Sequence, residues 1–373
     1  MFFNEDRNKS VIKAAPASYI ASEMVLKDSG KYIAKLGKRL QIIGGEKALS
    51  SLGSEFHNSL DGEGLSWQEY IFRGEVCDTQ IERIKQIAQQ YNADVLIGVG
   101  GGKALDAAKI AASSLSLPIV CIPTIAATCA AVTPMSVLYH EDGVYKQDVF
   151  FTTTPDMVLI DPHIIAKAPA VYLKSGMLDA VAKYYEGNAS IVGSRPIADI
   201  FDDCALNIAG LLYREMNQCC EEAVRSAEKQ EVSKALITAI NLNIFFAGMI
   251  QSLGIKAVRN GIAHSVHNGL TVLPESHRLL HGIKVGYGIF LQVTLLDLQK
   301  ELYSEAVSFF NKIHFTPSFR EMGLSFTEEN ILAVAQKTYG DPMMRRMPFD
   351  YITCSMIADA IRAIEADSNF AKA

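Results

Sequence analysis

The chain has 373 residues, 49% of them hydrophobic and 20% charged, with a formal net charge of −6. That length exceeds what a single core usually holds, so two domains are expected, and the composition is that of an ordinary globule rather than a disordered chain. The acidic balance argues against a nucleic-acid surface, and no apolar run reads as a membrane span.

The N-terminal stretch MFFNEDRNKSVIKAAP has early acidic residues and no apolar h-region, so no signal peptide is expected. The seven cysteines are odd in number and form no CxxC pair. They fit neither a disulfide framework nor a thiolate zinc site, and reduced thiols in a cytosol account for them.

The first half alternates between strand-like and helix-like segments. GKRLQIIGG reads as a strand ending in two glycines, and SWQEYIFRG as a second strand. The polar stretch 58–66 between them reads as a surface loop. DTQIERIKQIAQQYN carries apolar residues at Ile81, Ile84, Ile87 and Ala88, a helical spacing, with Asp78 as its N-cap. ADVLIGVGGG is a buried strand running into a glycine turn, KALDAAKIAASSLS a helix, and LPIVCIPT and MVLIDPHII two further strands. This alternation predicts an α/β fold with a doubly wound parallel sheet. From about residue 166 long amphipathic segments replace the strands, so the expected division is an α/β domain over 1–165 and an all-helical domain over 166–373. Prolines in DPHIIAKAPAVYL mark the boundary.

Two turns follow strands of the α/β half. Gly98-Val99-Gly100-Gly101-Gly102-Lys103 opens a helix, where glycines let a backbone approach a ligand and free N–H groups attract phosphate. The run matches neither nucleotide fingerprint. Lys103 stands where the dinucleotide motif has its last glycine, and Ile97 and Ala104 break the Walker pattern. Phosphate binding is implied, but the nucleotide is not chosen. The second turn, Pro123-Thr124-Ile125-Ala126-Ala127-Thr128-Cys129, offers small residues and hydroxyls to a cofactor groove.

Four of the eight histidines fall between residues 264 and 281. His264 and His267 are three apart and share a helix face, while His281 lies beyond a break at Pro274. With an aspartate from GMLDAVAKYYEG they form a nitrogen and oxygen donor set of the kind Zn²⁺ accepts. Helix capping and surface bridging are the structural alternatives for such a cluster.

In this order, GVGGGKALDAAK, PTIAATCAAVTPMSVLY, GMLDAVAKYYE and AHSVHNGLTVLPESHRLLHG resemble the metal-dependent alcohol dehydrogenase superfamily, most closely its glycerol dehydrogenase-like branch. The likeness spans roughly residues 28 to 310. It implies an N-terminal nucleotide-binding domain and a C-terminal helical domain (the dehydroquinate synthase-like layout), with NAD or NADP and a divalent metal in the cleft. It implies that Gly100, Gly101, Gly102, Lys103 and Asp106 contact the cofactor pyrophosphate and nicotinamide region, and that Thr124, Ala127, Thr133, Met135 and Tyr139 line the rest of the nicotinamide site. It also implies Asp179, His264 and His281 as metal ligands, with His267 beside the metal without binding it; in the expected reaction the alkoxide takes its proton through water or His267.

Two positions depart from the family pattern. Iron-dependent members place a histidine four residues after the aspartate, where this chain has Lys183, so a three-ligand Zn²⁺ site is expected in preference to Fe²⁺. Glycerol dehydrogenases carry a substrate-holding aspartate where this chain has Cys129, a substitution shared in appearance with hydroxycarboxylate dehydrogenases. Lys183 and Arg259 are candidate partners for a substrate carboxylate, with solvated or ion-paired surface roles as the alternatives. Glu46, after the strand LQII, suits a ribose 2′-hydroxyl, while Gly44-Gly45 beside Lys47 suits a 2′-phosphate; both remain open. The expected activity is interconversion of a 2-oxo acid and a 2-hydroxy acid. A glycerol or polyol dehydrogenase, a dehydroquinate synthase-like lyase and a non-catalytic binding protein are the rivals. Small-molecule substrates and assembly into a homo-oligomer are expected.

Overall fold

The computed structural model describes residues 12–192, 200–254, 261–296 and 300–367. Two compact units emerge, one formed by Met1–Ala170 and Ser226–Ser252, the other by Val171–Arg225 and Leu253–Ala373.

The first unit is built on a six-stranded sheet, ordered β1-β8-β5-β4-β2-β3. Its strands are β1 (Ser18–Ala21), β2 (Arg39–Gly44), β3 (Ser66–Ile71), β4 (Val95–Gly100), β5 (Ile119–Pro123) and β8 (Met157–Ile160), and every pairing is parallel. β4 and β5 are buried along their whole length, as central parallel strands must be, and their sequences are correspondingly apolar throughout. Helices Asp78–Gln90 and Gly102–Leu115 connect the strands. This is the parallel α/β architecture expected from the sequence.

Several local expectations are corrected. Cys77, not Asp78, holds the cap position of its helix, and Asp78 sits in the first turn, paired with Lys146. Gly53–Gly62 is helical, so most of the expected 58–66 loop belongs to a helix. A short edge strand, β1, and an antiparallel hairpin of β6 (Met135–Tyr139) and β7 (Tyr145–Phe150) were not anticipated. β7 reads YKQDVF and is mostly exposed, so it carries little of the apolar alternation by which strands are recognised.

The unit boundaries also differ from a single cut near residue 165. Ser226–Ser252 lies with the sheet because it packs on the loop after β5. The Asn243 amide donates to the Ala126 carbonyl at 2.9 Å, and the Tyr19 hydroxyl donates to Asn241 Oδ1 at 2.8 Å. A Cβ on Gly248 would lie 2.1 Å from Val132 Cγ2, so the helix backbone packs directly on that side chain. The same segment corrects the membrane expectation. Lys234–Leu253 is a continuous helical run of 20 residues with a mean hydropathy of 1.6, long and apolar enough to cross a bilayer by length and composition. Half of it is buried inside the fold, which gives its apolar side chains a place in the core.

Among its described residues the second unit has helices and loops but no strand. Its main elements are Ala170–Val192, most of Ile200–Lys229, Ile262–Leu270, His281–Leu296, Lys300–Lys312, Glu328–Gly340 and Cys354–Glu365. Two glycines let three of these approach closely. A Cβ on Gly282 would stand 1.8 Å from the Ser175 carbonyl oxygen, and one on Gly288 would stand 2.2 Å from that of Ala263. Gly282 adjoins His281, Ser175 lies one turn before Asp179, and Ala263 adjoins His264. The residues that permit the helix contacts are therefore neighbours of those the contacts bring together.

Candidate functional site

The first unit presents its backbone. The sheet order places β2 beside β4, although β3 intervenes in the chain, so the connections diverge at the carboxyl ends of β2 and β4. Such a switch point is where open α/β sheets bind ligands. Gly44 ends β2 there, and Gly100 ends β4 with φ +135°, a conformation L side chains rarely adopt. Gly101 caps the Gly102–Leu115 helix without a side-chain bond, which leaves the first-turn N–H groups directed outward. Lys103 is exposed and paired with Glu75. Glu46 is exposed and lies 3.4 Å from Arg73.

The loop lined by Thr124, Ala127 and Thr133 is held from beneath by a residue the sequence did not single out. Lys109 is almost wholly buried, and its ammonium donates to the carbonyls of Ala130 (2.7 Å), Thr133 (3.3 Å) and Met135. It also meets Asp106 Oδ1 at 3.1 Å, while Asp106 Oδ2 accepts the Val137 N–H at 3.1 Å. Asp106, expected to reach the cofactor, is thus engaged inward, tying its helix to β6. Met135 Sδ accepts from Gln251, and burial pushes the Tyr139 hydroxyl up to about 12, with Asp106 adding to the shift. Cys129 is half-buried in the same loop.

The second unit presents side chains. Asp179, His264 and His281 come from three different helices, and their donor atoms lie within 4.8 Å of one another. Asp179 Oδ1 is 3.4 Å from His264 Nε2 and 3.3 Å from His281 Nε2. Asp179 and His264 are buried, whereas the His281 side chain is 40% exposed, so one side of the cluster is open to solvent. One carboxylate and two imidazoles converging with an open side is a donor set that fits a divalent transition metal.

An ionised Asp179 suits that donor set, while a bound metal would have to displace a proton from His264. Burial opposes ionisation of Asp179, but His281, hydrogen bonds from both histidines and the Lys183 charge together hold its carboxyl well below the usual range. Burial likewise disfavours charge on His264, yet the Glu186 and Asp179 carboxylates raise its pKa to about 9. Burial and the neighbouring His281 and Lys284 drive His267 well below its ordinary value, so it is neutral.

Around the three donors stand residues that the sequence flagged, His267 and Lys183, and others that it did not, Glu186, Asn268 and Lys284. Glu186 is fully buried and accepts from His264 Nδ1 at 2.9 Å. His267 Nε2 lies 3.0 Å from His281 Nδ1, and its other nitrogen lies 3.0 Å from Asn268 Oδ1. Both nitrogens of His267 are therefore hydrogen-bonded. Lys183 is buried one turn after Asp179. Lys284, one turn after His281, is 8% exposed, and its ammonium makes no hydrogen bond or ion pair among the described residues. Arg259 lies outside the described residues. A helical spacing from Asp179 would have pointed to Glu186, since residues seven apart share a helix face. No such signal exists for Asp341, which joins this network from far along the chain.

Comparison with known proteins places the chain. The family model described as iron-containing alcohol dehydrogenase matches residues 16–162. A glycolaldehyde reductase of Halobacterium salinarum is 31% identical, covering 94% of this chain and 96% of that protein. Hydroxycarboxylate dehydrogenase A of Escherichia coli is 33% identical over 80% of this chain and 82% of its own. The crystal structure of glycerol dehydrogenase from Schizosaccharomyces pombe superposes with a TM-score of 0.86 at 28% identity, covering 96% of this chain and 91% of the other. The chain belongs to the iron-containing alcohol dehydrogenase superfamily, in its glycerol dehydrogenase-like branch. It is an oxidoreductase of the alcohol dehydrogenase type.

Proposed function

We propose that this enzyme transfers a hydride reversibly between NAD(P)H and C2 of a small 2-oxo acid, using a divalent metal, zinc in preference to iron. The observation that carries the proposal is the convergence of Asp179, His264 and His281 from three helices onto one point. Their side chains would hold the cation. Gly100, Gly101, Gly102 and Lys103 would receive the pyrophosphate, Thr124, Ala127, Thr133, Met135 and Tyr139 the nicotinamide, and Glu46 the ribose. When bound, a divalent cation supplies Lewis acidity to a carbonyl oxygen and the nicotinamide supplies reducing power.

The residues of the chain do the rest. Asp179 and His264 are buried, which keeps competing water from two of the three donors. Lys284 is a buried cation with no counter-ion among the described residues, and burial holds its pKa below the ordinary value. Buried cations are normally paired, so a substrate carboxylate is a fitting partner for it. Lys183 adds positive charge next to Asp179. Cys129 supports the same substrate class, because a thiol cannot accept hydrogen bonds from a polyol as a carboxylate would.

A glycerol or polyol dehydrogenase is the second reading, favoured by the likeness to the S. pombe glycerol dehydrogenase. A spectrophotometric screen separates the two. NADH and NADPH are each paired with pyruvate, 2-oxobutanoate, 2-oxoglutarate, glycolaldehyde and dihydroxyacetone, with and without zinc. Zinc-dependent oxidation of the coenzyme by a 2-oxo acid is the expected result. Turnover of dihydroxyacetone alone selects the polyol reading, and turnover indifferent to chelation and zinc removes the metal from the mechanism.

A further inference from the structure

We infer that two hydrogen-bond chains fix the proton of each metal-facing histidine on Nδ1, leaving both Nε2 atoms as donors; the inference rests on the metal reading above. A neutral imidazole coordinates only through the nitrogen that lacks hydrogen, so the wrong tautomer removes a ligand without moving an atom.

For His264 the device is a carboxylate. Glu186 Oε2 lies 2.9 Å and Oε1 3.1 Å from Nδ1. Oε1 also accepts the N–H groups of Gly261 (2.7 Å) and His264 (2.9 Å), which fixes the carboxylate at the start of the Ile262–Leu270 helix. An ionised carboxylate only accepts, so Nδ1 must carry hydrogen. The remaining nitrogen is the one directed at Asp179.

For His281 the device is a neutral relay, and its direction follows from its far end. Asp341 is buried, and its Oδ1 accepts the Met343 N–H at 2.8 Å and the Ser265 hydroxyl at 3.3 Å. Its Oδ2 accepts from the Asn268 amide nitrogen at 2.9 Å. That orients Asn268 Oδ1 toward His267 Nδ1, which must donate to it. His267 Nε2 is then an acceptor, so His281 Nδ1 must be its donor, at 3.0 Å. His281 Nε2 again faces Asp179. His267, Asn268 and Asp341 are positioning residues in this scheme. Partners of this kind on a ligating histidine typically contribute about 10–100-fold to metal affinity.

The test is zinc affinity, measured by competition with a chromogenic chelator, alongside the melting temperature of the zinc-free proteins. Glu186→Gln keeps an oxygen for the two backbone N–H groups but turns an amide donor toward Nδ1, which favours the wrong tautomer. It should weaken zinc binding by roughly 10–100-fold, and the zinc-free melting temperature reads separately the loss of the Glu186–His264 pair. His267→Leu should weaken zinc binding as well, and His267→Gln should restore part of it, since an amide oxygen can accept from His281. Wild-type zinc affinity in both Glu186→Gln and His267→Leu overturns the inference. Nitrogen-15 histidine spectra of zinc-loaded wild-type protein give an answer that needs no variant: Nδ1–H on both residues is expected, and a metal-bound Nδ1 on either overturns it. Wild-type protein that takes up no zinc is a different result, because it removes the metal site itself.

Discussion

The two units prepare ligand sites in opposite ways. In the first, the candidate site is main chain: Gly100, Gly101 and Gly102 expose N–H groups at a strand end, and the supporting Lys109 grips three carbonyls in addition to Asp106. In the second, the candidate donors are side chains, and each of the two histidines is hydrogen-bonded through its other ring nitrogen to a further side chain, Glu186 in one case and His267 in the other. A backbone site tolerates substitution of its surroundings so long as the turn persists. A side-chain site depends on each partner, and it shows its construction only once distant segments have been brought together.

This contrast is open to test, beginning where the effect is greatest. Asp179→Ala removes the oxygen donor common to both short contacts, so turnover should fall by about 10³-fold or more, roughly 4 kcal/mol. Dinucleotide binding, read by coenzyme fluorescence, should survive. Loss of both together would mean that the two sites are not separable. Chelation of the metal should reproduce the same pattern in the wild-type protein.

Lys109→Met leaves Asp106 buried without its cation, and breaking such a pair costs about 3–5 kcal/mol. Thermal denaturation should register this as a marked drop in stability. Zinc affinity of the protein that remains folded should be unchanged. A loss of zinc affinity equal to that of Asp179→Ala would contradict the division of labour.

Gly282→Ala places a methyl group 1.8 Å from the Ser175 carbonyl oxygen, so the helices must part. Overpacking of this kind costs about 1–3 kcal/mol. Zinc affinity is expected to fall, with dinucleotide affinity unaltered. The counterpart in the first unit is Gly100→Ala, which forces an L residue to φ +135° and should weaken coenzyme binding roughly tenfold, a strain of about 1–3 kcal/mol. Zinc titration of that variant should match wild type. Smallest is the effect of Cys129→Asp, which restores an acceptor for hydroxyl groups. A few-fold shift in the ratio of kcat/KM from 2-oxobutanoate toward dihydroxyacetone is expected, worth about 1 kcal/mol. No shift would remove Cys129 from substrate selection.

Much of the first unit was legible because its signals are local. A strand such as VLIGVG followed by glycines and a helix declares itself within twenty residues, and the pattern of burial follows the period of the sequence. The β6–β7 hairpin escaped because its outer strand is polar, and Ser226–Ser252 was assigned to the helical half because helicity says nothing about which core a helix joins. In the second unit the three donors were legible as residue types at suggestive spacings. Their supports were not, since Glu186 looks like any helix glutamate and Asp341 lies more than seventy residues beyond Asn268.

The amino-acid order by itself determined the parallel α/β half and the glycine turn, because each rests on periodicity or on chemistry carried within a short segment, whereas the choice of Asp179, His264 and His281 rested on resemblance to a family. Only the tertiary structure decided that Asp106 turns inward to Lys109, that His267 bridges His281 and Asn268, and that Glu186 meets His264. Hydrogen bonds form between atoms a few ångströms apart. Which atoms those are is set by the close contacts at Gly282 and Gly288, and so by the packing of helices from distant parts of the chain.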